Sequence, residues 1–482
     1  MSGFKRELGL LDSTMIVVGS MIGSGIFIVS ADIARTVGGG GWLLAAWLIT
    51  GALTLAAALS YGELAGMMPQ AGGQYVYLRE AYNPLVGFLY GWTLFLVIQT
   101  GTIAAVCVAF AKYTAVLLPW FGETNVLFTL GPLKVSSAQL LAIALLCLLT
   151  GVNLRGLRGG KAIQNAFTLA KAAALAGLIL LGLTVGRDPE VWRANLAGFW
   201  DASWLRAGEG GALSARPLGG LLLLAALGVS QVGSLFSADA WNNITFTAGE
   251  VREPQRNIPL SLILGTGIVI SLYLLVNLAY LSVLPLAGSP DAADTLGRGI
   301  QFAANDRVAT AAAERIFGGP AAALMALLIM VSTFGCANGI ILAGARVYYA
   351  MAKDGLFFSK AAELNAGSVP GNALLWQAAW SAVLCLSGTY GDLLDYVVFA
   401  VLLFYILTVG GIFLLRRDKP DAPRPYRVWG YPLVPALYIA AASAISLDLL
   451  VFKPLYTWPG IFIVLLGIPV YFLWRRPAEP AG

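Results

Sequence analysis

Long apolar segments follow one another along almost the whole chain and limit its fold more than any other feature. A helix that crosses a bilayer needs about 20 mostly apolar residues, and backbone polar groups in lipid must bond within the protein. Only 11% of the residues are charged, whereas soluble domains carry about 25%. The sequence therefore predicts an all-α polytopic membrane protein with twelve transmembrane helices. The predicted spans are 13–34, 41–67, 85–118, 136–153, 164–186, 219–248, 257–286, 319–350, 372–388, 392–415, 432–452 and 457–474.

Basic residues indicate how these spans are oriented, because cytoplasmic loops are enriched in lysine and arginine. If the N-terminus is cytoplasmic, the larger share of the 30 basic residues falls on the cytoplasmic face. That face then holds Lys5 and Arg6 at the start of the chain, and Arg475 and Arg476 at its end. Both termini are therefore predicted to be inside. The net charge of +5 follows from this asymmetry and gives no reason to expect a nucleic-acid partner.

Cysteine and histidine usage argues against several kinds of site. Cys107, Cys147, Cys336 and Cys385 all fall within predicted spans, where we expect them to act as small buried hydrophobic residues. The chain contains no histidine, which removes His-based metal sites and proton relays. The spans contain no obvious nucleophile–base pair. We therefore expect no enzyme activity, no metal and no cofactor.

Glycine and serine interrupt the first and the sixth spans. The first contains "GSMIGSGIF" at 19–27, and the sixth contains "SQVGSLFSADAWNN" at 230–243. Glycine weakens a helix interior by about 1 kcal/mol relative to alanine, so both helices are expected to unwind at the bilayer midplane. The alternative explanation is close packing between helices, which small residues also allow. Two interrupted helices at corresponding positions favour an inverted-repeat transporter instead.

The two interrupted helices lie five spans apart, which divides the chain into two predicted repeats of opposite orientation. A single transport domain, 1–482, would contain a first repeat at 13–186, a second at 219–415 and two further helices at 432–474. The amides at a half-helix N-terminus suit a carboxylate, and the carbonyls at a half-helix C-terminus suit an ammonium. Together they match an α-amino acid. A channel would need a filter ring shared among subunits; a sensor with the transporter fold stays an open alternative.

Four stretches carry a resemblance to a known family. They are "MIGSGIF" in span 1, "NAFTLAKAAALAG" in span 5, "SLFSADAWNNITFTAGEVREPQRNIPLSLILG" from span 6 into span 7, and "VSTFGCANGIILAGARVYYAMAKDG" in span 8. The chain resembles the amino acid–polyamine–organocation (APC) superfamily and, within it, the L-type amino acid transporter (LAT) family. The resemblance implies a five-plus-five inverted-repeat fold and alternating access. It also implies sodium-independent exchange of neutral L-amino acids; a proton-coupled permease is the alternative.

The resemblance assigns roles to residues of the first interrupted helix. The amides and hydroxyl of Gly23, Ser24 and Gly25 would hold the substrate carboxylate. Met21 and Ile26 would flank them.

In the second interrupted helix, the carbonyls of Phe236 and Ser237 would accept from the substrate ammonium. The Phe236 ring resembles the gating aromatic of the family, although a core aromatic is the simpler alternative. Trp241 and Asn242 continue the motif, either as substrate contacts or as residues that fix the geometry of the break.

Asp239 departs from the family members that carry a small residue at its position. A carboxylate at the midplane is a functional candidate by default. It could pair with the substrate ammonium, pair with a cationic side chain, or titrate for proton coupling. The alternative is that it caps the second half of span 6.

Lys171 is the one basic residue inside an otherwise apolar span 5. It resembles the lysine whose ammonium occupies the position of Na⁺ in sodium-coupled relatives, touching span 1 carbonyls and span 8 hydroxyls, with Ser332 and Thr333 as candidates. Proton coupling is a second role. Snorkelling to an interface is the structural alternative.

The substrate side chain is expected to point toward spans 3, 6, 8 and 10. By the resemblance, Ile98, Thr102 and Val106 line one wall, and Phe399 with Val401 lines another. Such walls favour neutral amino acids, while Asp239 keeps cationic ones open. Charged residues that resemble gate or loop positions are Glu63, Glu250, Arg252, Glu253 and Arg256, and ordinary solvated pairs are the alternative for them.

The loop after span 3, "PWFGETNVLFTLGPLKVSS", contains no cysteine. LAT members of the mammalian type pair with a single-span glycoprotein through an external cysteine. We therefore expect no disulfide-linked heavy chain, which fits a prokaryotic member in the cytoplasmic membrane.

Overall fold

The computed structural model describes residues 6–130, 133–207, 213–387 and 390–474. Lys5, Arg475 and Arg476, which the sequence analysis assigns to the cytoplasmic face, lie outside the described residues. The helices of the first half are α1 (Leu10–Met21), α2 (Ser30–Val37), α3 (Gly40–Met67), α4 (Gln74–Ala81), α5 (Pro84–Thr93), α6 (Gln99–Leu117), α7 (Ser137–Leu154), α8 (Leu157–Leu183) and α9 (Pro189–Ala197).

The helices of the second half are α10 (Leu221–Ser237), α11 (Asn243–Phe246), α12 (Pro254–Val283), α13 (Thr295–Arg298), α14 (Val308–Phe317), α15 (Pro320–Lys353), α16 (Gly371–Ser387), α17 (Tyr390–Asp418), α18 (Leu433–Phe452) and α19 (Pro454–Trp474). Within the described residues, nine helical stretches are long and apolar enough to cross a membrane. One of them joins α5 to α6 through a π-helical turn, Leu94–Ile98. α1 and α10 are shorter apolar helices.

Both interruptions predicted from the sequence are present. α1 ends at Met21, and a 3₁₀ turn (Gly25–Phe27) precedes α2. α10 ends at Ser237, and the chain becomes helical again at α11 after passing Ala240, whose φ is +64°. A positive φ in a residue other than glycine is uncommon and marks a constrained backbone. The second break therefore starts just after Ser237.

Two β-hairpins correct the expectation of an all-α chain. Strands β1 (Val126–Leu130) and β2 (Leu133–Ser136) pair antiparallel between α6 and α7, and β3 (Ser203–Ala207) pairs with β4 (Leu213–Pro217) between α9 and α10. Both lie in connections outside the long apolar helices. The all-α prediction was based on the length of the apolar segments. It did not consider backbone hydrogen bonds between short segments within a loop.

Close packing between long helices builds the bundle around the interruptions. α12 packs against α3 and α1, and α15 packs against α6 and α8. Glycines allow the approach: a Cβ added to Gly265 on α12 would lie 2.5 Å from a methyl carbon of Val17 on α1. Close approach through small residues is the usual basis of helix association in membranes.

The α1–α12 contact predicts that Gly265→Ala destabilises the protein. The added methyl group would overlap Val17, and such overpacking costs about 1–3 kcal/mol. Gly267→Ala is the matched control, because nothing lies within 4 Å of a Cβ at that position of the same helix. We expect a lower unfolding temperature in detergent for Gly265→Ala alone. Equal unfolding temperatures for the two variants would contradict this packing.

Candidate functional site

The two interrupted helices touch each other at the centre of the bundle. A Cβ added to Gly25 would lie 2.0 Å from Oγ and 2.7 Å from Cβ of Ser237. The 3₁₀ turn that starts at Gly25 therefore abuts the last residue of α10. An amide end with partial positive charge meets a carbonyl end with partial negative charge. This is the juxtaposition that the two sequence interruptions predict.

Tyr273 on α12 connects the two breaks. Its hydroxyl lies 2.9 Å from the carbonyl oxygen of Met21 and 3.0 Å from that of Ser237. The hydroxyl of Tyr280, two turns further along α12, donates to the carbonyl of Ile26 at 3.2 Å. Sequence reasoning missed both tyrosines, although each is a polar-tipped residue in an otherwise apolar span. Seven residues apart, they fall on one face of the helix.

The Lys171 ammonium lies against the C-terminal end of α1. Nζ donates to the carbonyls of Gly19 at 2.5 Å and Ile22 at 2.7 Å, and the residue is 1% exposed. The snorkelling alternative is therefore wrong. Carbonyls at a helix C-terminus carry partial negative charge, so they stabilise a cation there.

Ser332 and Thr333, the two hydroxyls expected near Lys171, face different partners. The Ser332 hydroxyl lies 3.2 Å from the carbonyl of Ile22, which Lys171 also contacts, and 3.4 Å from that of Gly23. The Thr333 hydroxyl instead donates within its own helix, to the carbonyl of Ile329 at 2.9 Å. Cys336, one turn further along α15, contacts the carbonyl of Ser20 through Sγ at 3.1 Å.

Asp239 lies in the second break and accepts from the Tyr405 hydroxyl at 2.6 Å. The N-cap of α11 is Asn242, so the suggestion that Asp239 caps this helix is wrong. Two small cavities flank the carboxylate, each of about 20 Å³, which is about the room that one water needs. An amino acid would fit only after the surrounding helices move.

Some of the predicted wall residues line these cavities and others do not. Ile98, Thr102, Asn242 and Val401 line one of them, and Trp241 and Val401 line the other. Val106 is buried but lies outside both linings.

Phe399 also lies outside both linings. Its ring lies 3.5 Å from the point where a Cβ on Gly460 of α19 would sit. From α17, the cavities are lined by Val398, Val401, Leu402 and Tyr405.

The remaining span 6 residues are held by a polar and aromatic network. Asn242 donates to Gln74 at 3.1 Å, and Gln74 donates to Thr408 at 3.0 Å. Trp241 packs edge-to-face on Tyr61, with ring centroids 4.7 Å apart.

Phe236 is buried, and its carbonyl accepts from the backbone amide of Asp239 at 3.2 Å. Both carbonyls proposed for an ammonium, those of Phe236 and Ser237, therefore have protein partners in this conformation.

Comparison with known proteins identifies the family of this chain. Residues 8–473 match the family described as Amino acid permease. The chain belongs to the amino acid permease family. Together with the long apolar helices, this membership makes the protein a multi-pass membrane protein.

Relatives of this permease extend over nearly its whole length. It is 31% identical over 470 residues to the Large neutral amino acids transporter small subunit 2 of Mus musculus, covering 97% of this chain and 81% of that protein. It is 29% identical over 478 residues to the b(0,+)-type amino acid transporter 1 of Homo sapiens, covering 98% and 88%. The Serine/threonine exchanger SteT of Bacillus subtilis is 29% identical over 478 residues, covering 98% of both chains. All three names describe transporters or exchangers.

One buried ion pair and a backbone contact close the end of the permease where α1 begins. Glu250 pairs with Arg346 at 3.1 Å, and both side chains are buried. The backbone beside Glu250 also holds the N-terminal segment, since the amide of Leu8 donates to the Glu250 carbonyl at 3.0 Å. By contrast, Glu253 and Arg256 form an exposed pair at 3.6 Å, and exposed pairs contribute little stability.

Glu63 on α3 is fully buried and accepts from several donors at once. Arg416 at the end of α17 binds both carboxylate oxygens, at 2.9 and 2.7 Å. Arg424 lies 3.4 Å away, and the amide of Val428 donates at 2.8 Å. The connection between α17 and α18 is therefore anchored to α3. Buried charges need such pairing to be tolerated.

The contact between the two breaks predicts that Gly25→Ala separates them. The added methyl group would overlap Ser237, so we expect a loss of stability of about 1–3 kcal/mol. The double variant Gly25→Ala/Ser237→Gly removes the overlapping atoms and should recover much of that loss. Gly177→Ala, on α8, is the control, because nothing lies within 4 Å of a Cβ at that position. Unfolding temperatures in detergent test this; no recovery in the double variant would contradict the contact.

Proposed function

We propose that this permease is a sodium-independent exchanger of neutral L-amino acids that works by alternating access. The observation that carries the proposal is the meeting of the two interrupted helices at Gly25 and Ser237. An amide end and a carbonyl end side by side match the two charges of an amino acid. The relatives support the substrate class, since they are named as amino acid transporters or exchangers.

In this proposal the amides of Gly23, Ser24 and Gly25 hold the carboxylate, and the carbonyls of Phe236 and Ser237 receive the ammonium. The Ser237 carbonyl would then exchange its Tyr273 contact for the substrate, or share it. Phe236 would act as the gate.

Sodium independence is supported by the position of the Lys171 ammonium. It supplies a positive charge to the carbonyls of Gly19 and Ile22, beside the Ser332 hydroxyl. Oxygen ligands of this kind suit a hard cation. A lysine fixed among them would take the place of a bound Na⁺.

The proposed architecture has twelve spans in two inverted repeats, 13–186 and 219–415, followed by 432–474. The nine long stretches, the two interrupted helices and α16 support this count. Helix neighbours support the repeat: a two-fold relation that exchanges α1 with α10 and α3 with α12 maps the α1–α12 contact onto α10–α3, and both contacts occur. In the same way it maps α8–α15 onto α17–α6, which also occurs.

The proposed location is the cell membrane with both termini inside. A disulfide-linked heavy chain is not part of the proposal. Of the four cysteines, Cys107, Cys336 and Cys385 are buried. Cys147 differs from the expectation because it is exposed, on the surface of α7. All four lie within helices and none in an outer loop.

Uptake of radiolabelled amino acid into proteoliposomes tests the proposal. We expect uptake that requires unlabelled amino acid inside and is equal in sodium and choline buffers. Sodium-dependent uptake into empty vesicles would contradict it. Uptake driven by a pH gradient would indicate the proton-coupled alternative.

Lys171→Ala should slow exchange strongly, because it leaves the carbonyls of Gly19 and Ile22 without their cation. We expect at least a roughly tenfold loss of rate, since a buried unpaired polar group costs about 1–3 kcal/mol. Lys360→Ala, at an exposed position, is the matched control. Exchange at the wild-type rate in Lys171→Ala would overturn the role given to this lysine.

Asp239→Asn tests whether the carboxylate binds the ammonium. The asparagine can still accept from Tyr405 but lacks the negative charge. We expect an apparent KM about tenfold higher, the change that corresponds to about 1.4 kcal/mol, with the maximal rate retained. Asp421→Asn, exposed in the α17–α18 connection, is the control. An unchanged KM would assign Asp239 to the geometry of the break.

A further inference from the structure

A large charged cavity lies next to the two breaks, at the end of the bundle where α2 and α6 end. Its volume is about 360 Å³, against about 20 Å³ for each cavity beside Asp239. Ligand pockets in proteins start at about 300 Å³. Val29 and Gly233 line it, and they lie four residues from Gly25 and Ser237 respectively. The cavity therefore adjoins the proposed substrate site along both interrupted helices.

Most of the charged side chains that line this cavity are paired with one another. Arg35 pairs with Asp306 at 2.7 Å and lies 3.6 Å from Asp32, and Lys453 pairs with Asp395 at 3.0 Å. These pairs neutralise each other without a ligand.

Lys112 and Glu123 are different. Both line the cavity, yet within the described residues neither forms an ion pair or a hydrogen bond. Lys112 is half-buried near the end of α6. The carboxylates of Asp306 and Glu123 attract the Lys112 ammonium but form no ion pair with it, so the half-buried ammonium has lost part of its hydration without gaining a direct contact. One cation and one carboxylate thus share a cavity without contacting each other.

We propose that this cavity is a second, outer binding site for an α-amino acid, with the substrate carboxylate on Lys112 and its ammonium on Glu123. The inference rests on the proposed function for its ligand class. An amino acid would bind here first and then pass between α2 and α10 to the breaks.

The charge of the lining favours a zwitterion over a simple ion. Five carboxylates line the cavity (Asp32, Glu123, Asp306, Asp392 and Asp395) against three cations (Arg35, Lys112 and Lys453), so the lining carries five negative and three positive charges, a net charge of −2. The excess of carboxylates disfavours an anion without a positive group. Lys112, which forms no direct ion pair at the wall, disfavours a cation without a negative group. A ligand that carries both charges satisfies both conditions.

Equilibrium dialysis of the purified full chain in detergent tests the inference, with radiolabelled L-serine and L-leucine as probes. We expect two bound amino acids per wild-type chain for the preferred probe and one per chain for Lys112→Gln and Glu123→Gln. The remaining bound amino acid shows that each variant is folded. Lys134→Gln is the matched control, since Lys134 is exposed on β2 and outside the cavity lining; it should bind two.

Transport provides a second readout. Lys112→Gln should raise the apparent KM for amino acid supplied from the outer side about tenfold, and Lys112→Arg should restore it. One amino acid per wild-type chain, or two in Lys112→Gln, would overturn the outer site and leave the proposed function standing. A chain that binds neither probe would contradict both.

Discussion

Breaking a helix inside a bilayer frees backbone carbonyls that water cannot reach, and the centre of this protein is organised around satisfying them. Freed groups in lipid cost several kcal/mol each unless they are bonded. The carbonyls at the end of α1 receive the Lys171 ammonium, the Ser332 hydroxyl and the Tyr273 hydroxyl. These side chains come from α8, α15 and α12. The unwound segment is therefore held in place by three separate helices of the scaffold.

The two ends of the bundle are closed to different degrees. Where α1 begins, the buried Glu250–Arg346 pair and the contact between Leu8 and Val251 join the N-terminal segment to the chain after α11. At the opposite end, the charged cavity lies directly beside the breaks. The centre has room for about one water on each side of Asp239. This conformation is therefore closed at its centre and sealed most firmly at the end where α1 begins.

Sequence reasoning located the elements of this site more reliably than their contacts. The interruptions at 19–27 and 230–243 were predictable because glycine and serine cluster there within apolar segments. Lys171 was recognisable as a single cation in an apolar span, but its particular carbonyl partners depend on how α8 packs on α1.

The residues missed by sequence reasoning share a physical cause. Tyr273, Gln74 and Tyr405 act through long-range contacts, to Met21, Asn242 and Asp239 respectively. Nothing in their local sequence shows which partner they will meet. Phe399 was placed on the wall by its position in span 10, but one helix presents several faces, and its ring lies towards α19. Hydropathy indicates which residues form a helix, whereas packing against neighbouring helices determines how that helix is rotated about its axis.

The anchoring of Glu63 bears on the last two helices, α18 and α19. Because Arg416, Arg424 and the amide of Val428 all bind this one carboxylate on α3, the chain entering α18 is fixed at three points within a short stretch. Any rotation of α3 relative to α17 would have to break a buried charge cluster. These elements are therefore expected to travel as one rigid body during a transport cycle. The last two helices, α18 and α19, would then add mass and membrane area to the body that contains α3 and α17. The rest of the protein would move relative to that body.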